Sequence, residues 1–168
     1  MNSASSDPHA QSAYQVRFDW GRSGADAIGR DVEAIVWVDE LGAAPIPDLP
    51  LGPAVVAAGL DSAGSLAAWA LDRQESLGGR FRIAVVAAGA TRADGGERFA
   101  VEDLLAAGAV IDALAEVGID HNSPEAAAAA AAYTGLRRAT RHLLSASASA
   151  REGQAPTALG SEVVVARE

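Results

Sequence analysis

The chain has 168 residues, no cysteine and a formal net charge of −9. A chain of this length buries about two-thirds of its unfolded surface, so a single domain with one core is expected. The negative charge disfavours nucleic acid as a partner, because nonspecific binding to phosphates depends on basic patches. All 13 basic side chains are arginine. The absence of lysine and cysteine excludes a P-loop lysine, Schiff-base catalysis, thiolate nucleophiles and disulfides.

The sequence also indicates where the protein is located in the cell and which part of the chain is folded. The N-terminus lacks the basic patch and apolar stretch of a secretory signal. No apolar run approaches the roughly twenty residues that span a bilayer. The sequence therefore predicts a cytoplasmic protein with no membrane partner. Residues 1–14 are small and polar and are predicted to be a disordered tail, which leaves 15–168 as the folded domain.

Apolar runs separated by turn residues predict alternating strands and helices. Strands are expected at 15–18, 33–38, 53–59, 83–88 and 162–166, and helices at 21–30, 62–74, 101–117 and 123–144. Residues 42–53 contain four prolines and two glycines, which predicts an irregular linker. The alternation implies an α/β domain with three layers, α/β/α, and a mostly parallel sheet. We expect strands 33–38 and 83–88 to be parallel neighbours or near-neighbours, because both are short and apolar throughout.

Three carboxylates are predicted at one edge of this sheet. Asp39 directly follows a strand, and Glu102 and Asp103 open the helix that follows strand 83–88. Ligands of open α/β sheets bind at the carboxyl ends of the strands, and Mg²⁺ prefers oxygen ligands such as carboxylates. The pattern is compatible with a magnesium site, an interpretation that depends on the family resemblance described below. The alternative is that Glu102 and Asp103 only complement the helix dipole, which favours acids in the first turn.

Five segments of the chain carry a resemblance to a known family. They are VRFDWGRSGADAI, AIVWVDEL, IAVVAAGATRADGGERFAVEDLLAAGAVI, NSPEAAAAAAAY and SASARE, in that order along the chain. Together they resemble the 2-phosphosulfolactate phosphatase family, whose members are magnesium-dependent phosphatases. The resemblance implies a phosphoric monoester hydrolase that uses Mg²⁺ and acts on a small anionic phosphoester. It also implies that Arg98 and Arg151 bind the substrate phosphate and that Ser149 and Arg151 take part in catalysis.

The sequence also departs from the family pattern. Ser147 stands where the family has cysteine, Ala150 replaces a glycine, and GATR at 89–92 replaces Gly-Glu-Arg-Trp. The long segment that the family has after its first buried strand is replaced by the linker at 42–53. We therefore expect the crevice beside Asp39 to be open to water, or to be covered by the second subunit of a homodimer. The departures favour an alternative function, a catalytically inactive homologue that acts as a binding or interaction protein.

Overall fold

The computed structural model describes residues 7–42, 45–156 and 161–168, which form a single α/β domain. The strands are β1 (Val16–Trp20), β2 (Ala34–Val38), β3 (Ala54–Ala58), β4 (Ile83–Ala87), β5 (Ala90–Thr91), β6 (Glu97–Arg98) and β7 (Val164–Arg167). The α-helices are α1 (Gly21–Ile28), α2 (Ala63–Leu77), α3 (Val101–Glu116), α4 (Pro124–Leu136), α5 (Thr140–Ala146) and α6 (Ala148–Arg151).

The main sheet has the strand order β1-β4-β2-β3-β7, and all its pairings are parallel except that of β3 with β7. The prediction for strands 33–38 and 83–88 is confirmed, because β2 lies directly beside β4 with Val36 opposite Val85. Every residue of β2 and β4 is buried, as expected for strands covered on both faces. The parallel strands end together at one side of the sheet, which we call the carboxyl edge.

Helices cover both faces of the sheet, so the predicted three-layer α/β/α fold is confirmed. Helices α2, α3 and α4 pack on one face, in a core that includes Val85 and Leu114. Helix α1 packs on the other face, where Ile28 lies in a smaller core with Val86. Adjacent residues of β4 thus point to opposite cores, as the pleat of a strand requires.

The segment before β1 is packed against the sheet, although the sequence analysis predicts a disordered tail over 1–14. Residues 1–6 lie outside the described residues. Pro8–Ala10 form a 3₁₀ helix, and the buried side chain of Gln11 follows it. Its amide donates to the carbonyl of Phe18 at 2.8 Å and accepts from the Phe18 N–H at 3.0 Å. Gln11 therefore pairs backbone groups that an edge strand such as β1 would otherwise leave open.

Two further elements differ from the prediction. The helix predicted at 123–144 begins as expected, because Ser123 Oγ accepts the N–H of Ala126 at 3.1 Å. However, a 3₁₀ turn at Arg137–Ala139 separates α4 from α5. Gly135 lies just before this turn, and glycine has low helix propensity. A short hairpin of β5 and β6 also lies between β4 and α3, where the sequence analysis predicts only a loop.

The linker predicted at 42–53 contains no helix or strand in its described part, residue 42 and residues 45–53. Leu49 is nevertheless buried and belongs to the same core as α1. Arg167 of β7 donates to the carbonyls of Leu49 and Pro53 at 3.4 and 3.3 Å, and also to that of Pro50. The linker therefore packs on the same face of the sheet as α1 and covers a part of that face that α1 does not reach. Within the described ranges, no helix combines the length and apolarity needed to cross a bilayer.

Candidate metal and phosphate site at the carboxyl edge

A cavity with a volume of about 750 Å³ lies at the carboxyl edge. The loops after β2 and β4, the first turn of α3 and the segment from Ser149 to Pro156 line this cavity. Four of the lining residues are acidic, namely Asp39, Glu102, Asp103 and Glu152, and none of the described lining residues is basic. We call it the acidic cavity. The structure therefore brings together all three carboxylates that the sequence predicts to share this edge.

Asp103 joins α3 to two strands. Its Oδ1 accepts the backbone N–H of Glu40 at 2.8 Å, and its Oδ2 accepts that of Gly89 at 2.9 Å. Glu40 follows β2 and Gly89 follows β4, so one buried side chain fixes the ends of both neighbouring strands. Gly89 has a φ of +69°, and a Cβ there would lie 2.9 Å from the carbonyl oxygen of Arg98. This close approach requires glycine.

Glu40 links the end of β2 to the end of the next strand, β3, through a similar hydrogen bond to a backbone amide. The sequence analysis does not predict this role. Its Oε2 accepts the N–H of Leu60 at 3.0 Å, just beyond β3. Burial raises the pKa of Glu40, and the neighbouring charges of Asp61 and Asp39 add to this effect. The sequence signal for this role is that Glu40 directly follows Asp39 after β2. Two adjacent side chains at a strand end point in different directions, so the second acid can contact a neighbouring strand.

Two acids of the cavity, Asp39 and Asp103, have raised pKa values. Burial raises the pKa of Asp39, and the charge of Glu102 raises it further. For Asp103, burial and the charges of Asp39 and Glu102 together raise the pKa to about 8, although its two amide hydrogen bonds favour the charged form. Such a cluster must be neutralised by a proton or by a cation.

The geometry of these acids limits how a metal could bind. No group of three or more acidic, histidine or cysteine residues within the described ranges is arranged to hold a metal ion. Both oxygens of Asp103 already accept backbone hydrogen bonds. Asp39 and Glu102 also line the cavity. A Cβ on Gly42 would lie 2.7 and 2.8 Å from the two carboxylate oxygens of Asp39, so the backbone at residue 42 closely packs against this carboxylate.

The predicted phosphate-binding arginines lie outside the acidic cavity. Arg98 is exposed on β6 and lines a smaller adjoining cavity of about 180 Å³, together with Glu102 and Ser149. Arg151 is exposed at the end of α6 and lines neither cavity. Ser149 is buried and lines both of them. Ser147 caps α6 by accepting the N–H of Ala150 at 3.2 Å.

Comparisons with protein-family models, with curated proteins and with solved structures find no significant match to this chain. The class of protein that the structure defines is therefore an α/β domain with an acidic cavity at the carboxyl ends of its parallel strands.

Proposed function

We propose that this chain is a magnesium-dependent phosphatase of the 2-phosphosulfolactate phosphatase type, a hydrolase that acts on a small anionic phosphoester in the cytoplasm. The observation that carries the proposal is the convergence of Asp39, Glu102 and Asp103 on one cavity without a basic side chain in its described lining. A cavity with this charge repels a phosphoester unless a cation is bound, whereas it attracts a divalent cation.

The residues present fit a magnesium ion that keeps most of its water. Magnesium in phosphoryl-transfer sites is commonly held by one or two carboxylates, with water and substrate phosphate as the other ligands. Asp39 and Glu102 would supply these carboxylates, and Asp103 would keep the strand ends in place around them. When bound, the ion would offset negative charge and polarise a phosphoryl oxygen.

Three further features support recognition of the phosphate beside this position. Arg98 adjoins Glu102 and Ser149 in the smaller cavity, and a guanidinium group binds phosphate oxygens in a bidentate manner. The N-terminus of α3 lines the same cavity and has no side-chain cap, so its dipole favours an anion there. We propose that Ser149 contacts the phosphate from its buried position between the two cavities. A catalytic role for Arg151 stays a prediction that rests on the family resemblance.

The alternative proposal is a catalytically inactive homologue that binds a ligand or a protein. The exposure of Arg98 and Arg151 favours it, because in this structure neither guanidinium group lies in the acidic cavity. Such a protein would bind a divalent cation and a phosphate analogue without hydrolysis.

The decisive experiment measures phosphate release from 2-phosphosulfolactate in Mg²⁺ and in EDTA. We expect magnesium-dependent turnover that falls about 100-fold or more in Asp39→Asn and Glu102→Gln. Asp72→Asn, at an exposed position on α2, is the matched control and should keep the wild-type rate. Cation binding without phosphate release would favour the inactive homologue, and the absence of both would contradict the two proposals.

A further inference from the structure

A smaller cavity adjoins the acidic cavity and has a different chemical character. It has a volume of about 230 Å³, and Trp20 at the end of β1 and Phe99 after β6 form its walls. We call it the aromatic groove. Gly89 lines both the groove and the acidic cavity, so the two are continuous across a single residue without a side chain.

Of the two aromatic side chains of the groove, that of Phe99 is exposed to solvent. Phe99 is 60% exposed, and its ring centroid lies 5.3 Å from that of the partly buried Trp20, at an interplanar angle of 47°. Trp20 in turn packs edge-to-face on the buried ring of Phe18 at 5.7 Å. The exposed ring of Phe99 offers the tilted or offset contacts that a further aromatic ring prefers.

The floor of the groove is built from glycine. Gly21 and Gly89 both have positive φ values, of +61° and +69°, and a Cβ on either would collide with the hairpin. The groove is somewhat larger than the roughly 150 Å³ cavity that accommodates benzene in an engineered core. Its size therefore suits one six-membered ring with a small substituent.

Arg98 connects the groove to the proposed phosphate position. It lines the groove together with Phe99, and it also lines the small cavity that contains Glu102 and Ser149. A ligand whose ring packs against the exposed face of Phe99, beside Trp20, would therefore place an attached anionic group beside Arg98 and the acidic cavity.

We propose that the aromatic groove binds the ring of an aryl phosphoester, so that phosphorylated compounds with a single aromatic ring are among the small anionic phosphoesters that this site accepts. The position of the phosphate rests on the proposed function, whereas binding of the ring does not require the metal. In the reaction, the oxygen of water bonds to phosphorus and the bond between phosphorus and the aryl oxygen breaks. The departing oxygen takes up a proton, so the products are a phenol and inorganic phosphate.

The first test compares the binding of phenylphosphonate and methylphosphonate by calorimetry in the presence of Mg²⁺. We expect phenylphosphonate to bind about tenfold more tightly, as burial of an aromatic ring predicts. Phe99→Ala should abolish this preference and leave methylphosphonate binding unchanged. Leu77→Ala is the matched control, because Leu77 is 53% exposed and lines neither cavity. Equal binding of the two phosphonates, or equal loss in both variants, would overturn the inference and leave the proposed function standing.

A second test separates the groove from the metal site. Phenol is titrated into the protein in EDTA, and the indole N–H resonances of the three tryptophans are followed by NMR. We expect a shift of Trp20 that is absent in Phe99→Ala, even if magnesium and phosphonates fail to bind and the proposed function is wrong. No shift of Trp20 would overturn the inference. So would a dimer, seen by sedimentation equilibrium, that Phe99→Ala dissociates, because a second copy would then cover the groove.

Discussion

The two ends of the parallel sheet differ in whether their charged side chains have partners of opposite charge. At the amino ends of β2 and β4, the guanidinium of Arg82 lies 2.7 Å from the carboxylate of Glu33, and the backbone N–H of Arg82 donates to the same carboxylate. Arg17, buried in β1, donates to the carbonyls of Ile28 and Arg30 at 3.1 and 2.8 Å. At the carboxyl edge, the described lining of the acidic cavity offers its acids no basic side chain.

The pKa values follow this difference. Burial alone would raise the pKa of Glu33, but the hydrogen bonds and charge of Arg82 bring it below its usual value. Burial and like charges raise the pKa values of Asp39 and Asp103, the latter to about 8. The amino end is thus neutralised within the fold. The carboxyl edge keeps a charge that a proton or a bound cation must balance, which is typical of functional rather than structural carboxylates.

The largest expected effect is that of removing the link between the strand ends. Asp103→Ala leaves the N–H groups of Glu40 and Gly89 without their acceptor, at a cost of about 1–3 kcal/mol for each donor that stays buried. We expect the free energy of unfolding in urea to fall by about 2–4 kcal/mol. Asp72→Ala, on the exposed face of α2, should change it by less than about 0.5 kcal/mol.

If Asp103→Ala does not fold, Asp103→Asn provides the same test. Its amide oxygen can replace only one of the two carboxylate oxygens that accept the N–H groups of Glu40 and Gly89. A loss of unfolding free energy no larger than that of Asp72→Ala would mean that Asp103 contributes only charge to this edge. Its hydrogen bonds to the strand ends would then not stabilise the fold.

The next effect concerns the cation. A ligand present at a hundredfold excess over its dissociation constant stabilises a protein by about 2.7 kcal/mol. We expect Mg²⁺ at such an excess to raise the melting temperature of the wild type at pH 8 and to leave that of Asp39→Asn and Glu102→Gln unchanged. Glu33→Gln, at the amino end, is the control and should respond as the wild type does. An equal response of all variants would show that the cation binds elsewhere.

A smaller effect is expected from a substitution that does not alter any charge. Gly42→Ala adds a methyl group about 2.7 Å from the carboxylate of Asp39, closer than a Cβ can approach, so the carboxylate must move. We expect the stabilisation by Mg²⁺ to fall by about 1 kcal/mol or more, the equivalent of roughly a fivefold to tenfold loss of affinity.

Gly64→Ala is the matched control, because a Cβ there meets no atom within 4 Å. It should raise stability by up to about 1 kcal/mol through helix propensity and leave the magnesium response intact. An unchanged response in Gly42→Ala would argue against Asp39 as a ligand.

Periodicity predicts the fold better than it predicts the site. The apolar runs at β2 and β4 identify buried parallel strands, and they correctly predict that Asp39, Glu102 and Asp103 share one edge. The sequence does not show that both oxygens of Asp103 bond to backbone amides, because these bonds depend on the exact stagger between α3 and the strand ends. It also does not reveal the hairpin at 90–98 that carries Arg98 away from the acidic cavity, because two-residue strands have no periodicity to detect.

The smallest expected effect is that of pH, but it separates the two ends most clearly. The stability contributions of Asp103 and Glu33 should change in opposite directions as the pH rises. Asp103 has a folded pKa of about 8, above its ordinary value of 3.8. In EDTA, its favourable contribution to stability is therefore complete below about pH 4 and is lost as the pH rises through about 8. Glu33 has a folded pKa below its ordinary value of 4.5. Its contribution is present above about pH 4.5 and is lost as the pH falls through the folded pKa.

Urea unfolding from pH 3 to pH 9 in EDTA checks both signs at once. Glu33→Gln should lower the free energy of unfolding by about 0.5–1 kcal/mol at pH 7, a modest value because the Arg82 side chain is 42% exposed. This difference from the wild type should shrink toward pH 3. The stability advantage of the wild type over Asp103→Asn should instead shrink as the pH rises toward 9. If that advantage grew with pH, Asp103 would be stabilised in its charged form within the fold, and the carboxyl edge would need no cation from outside the chain.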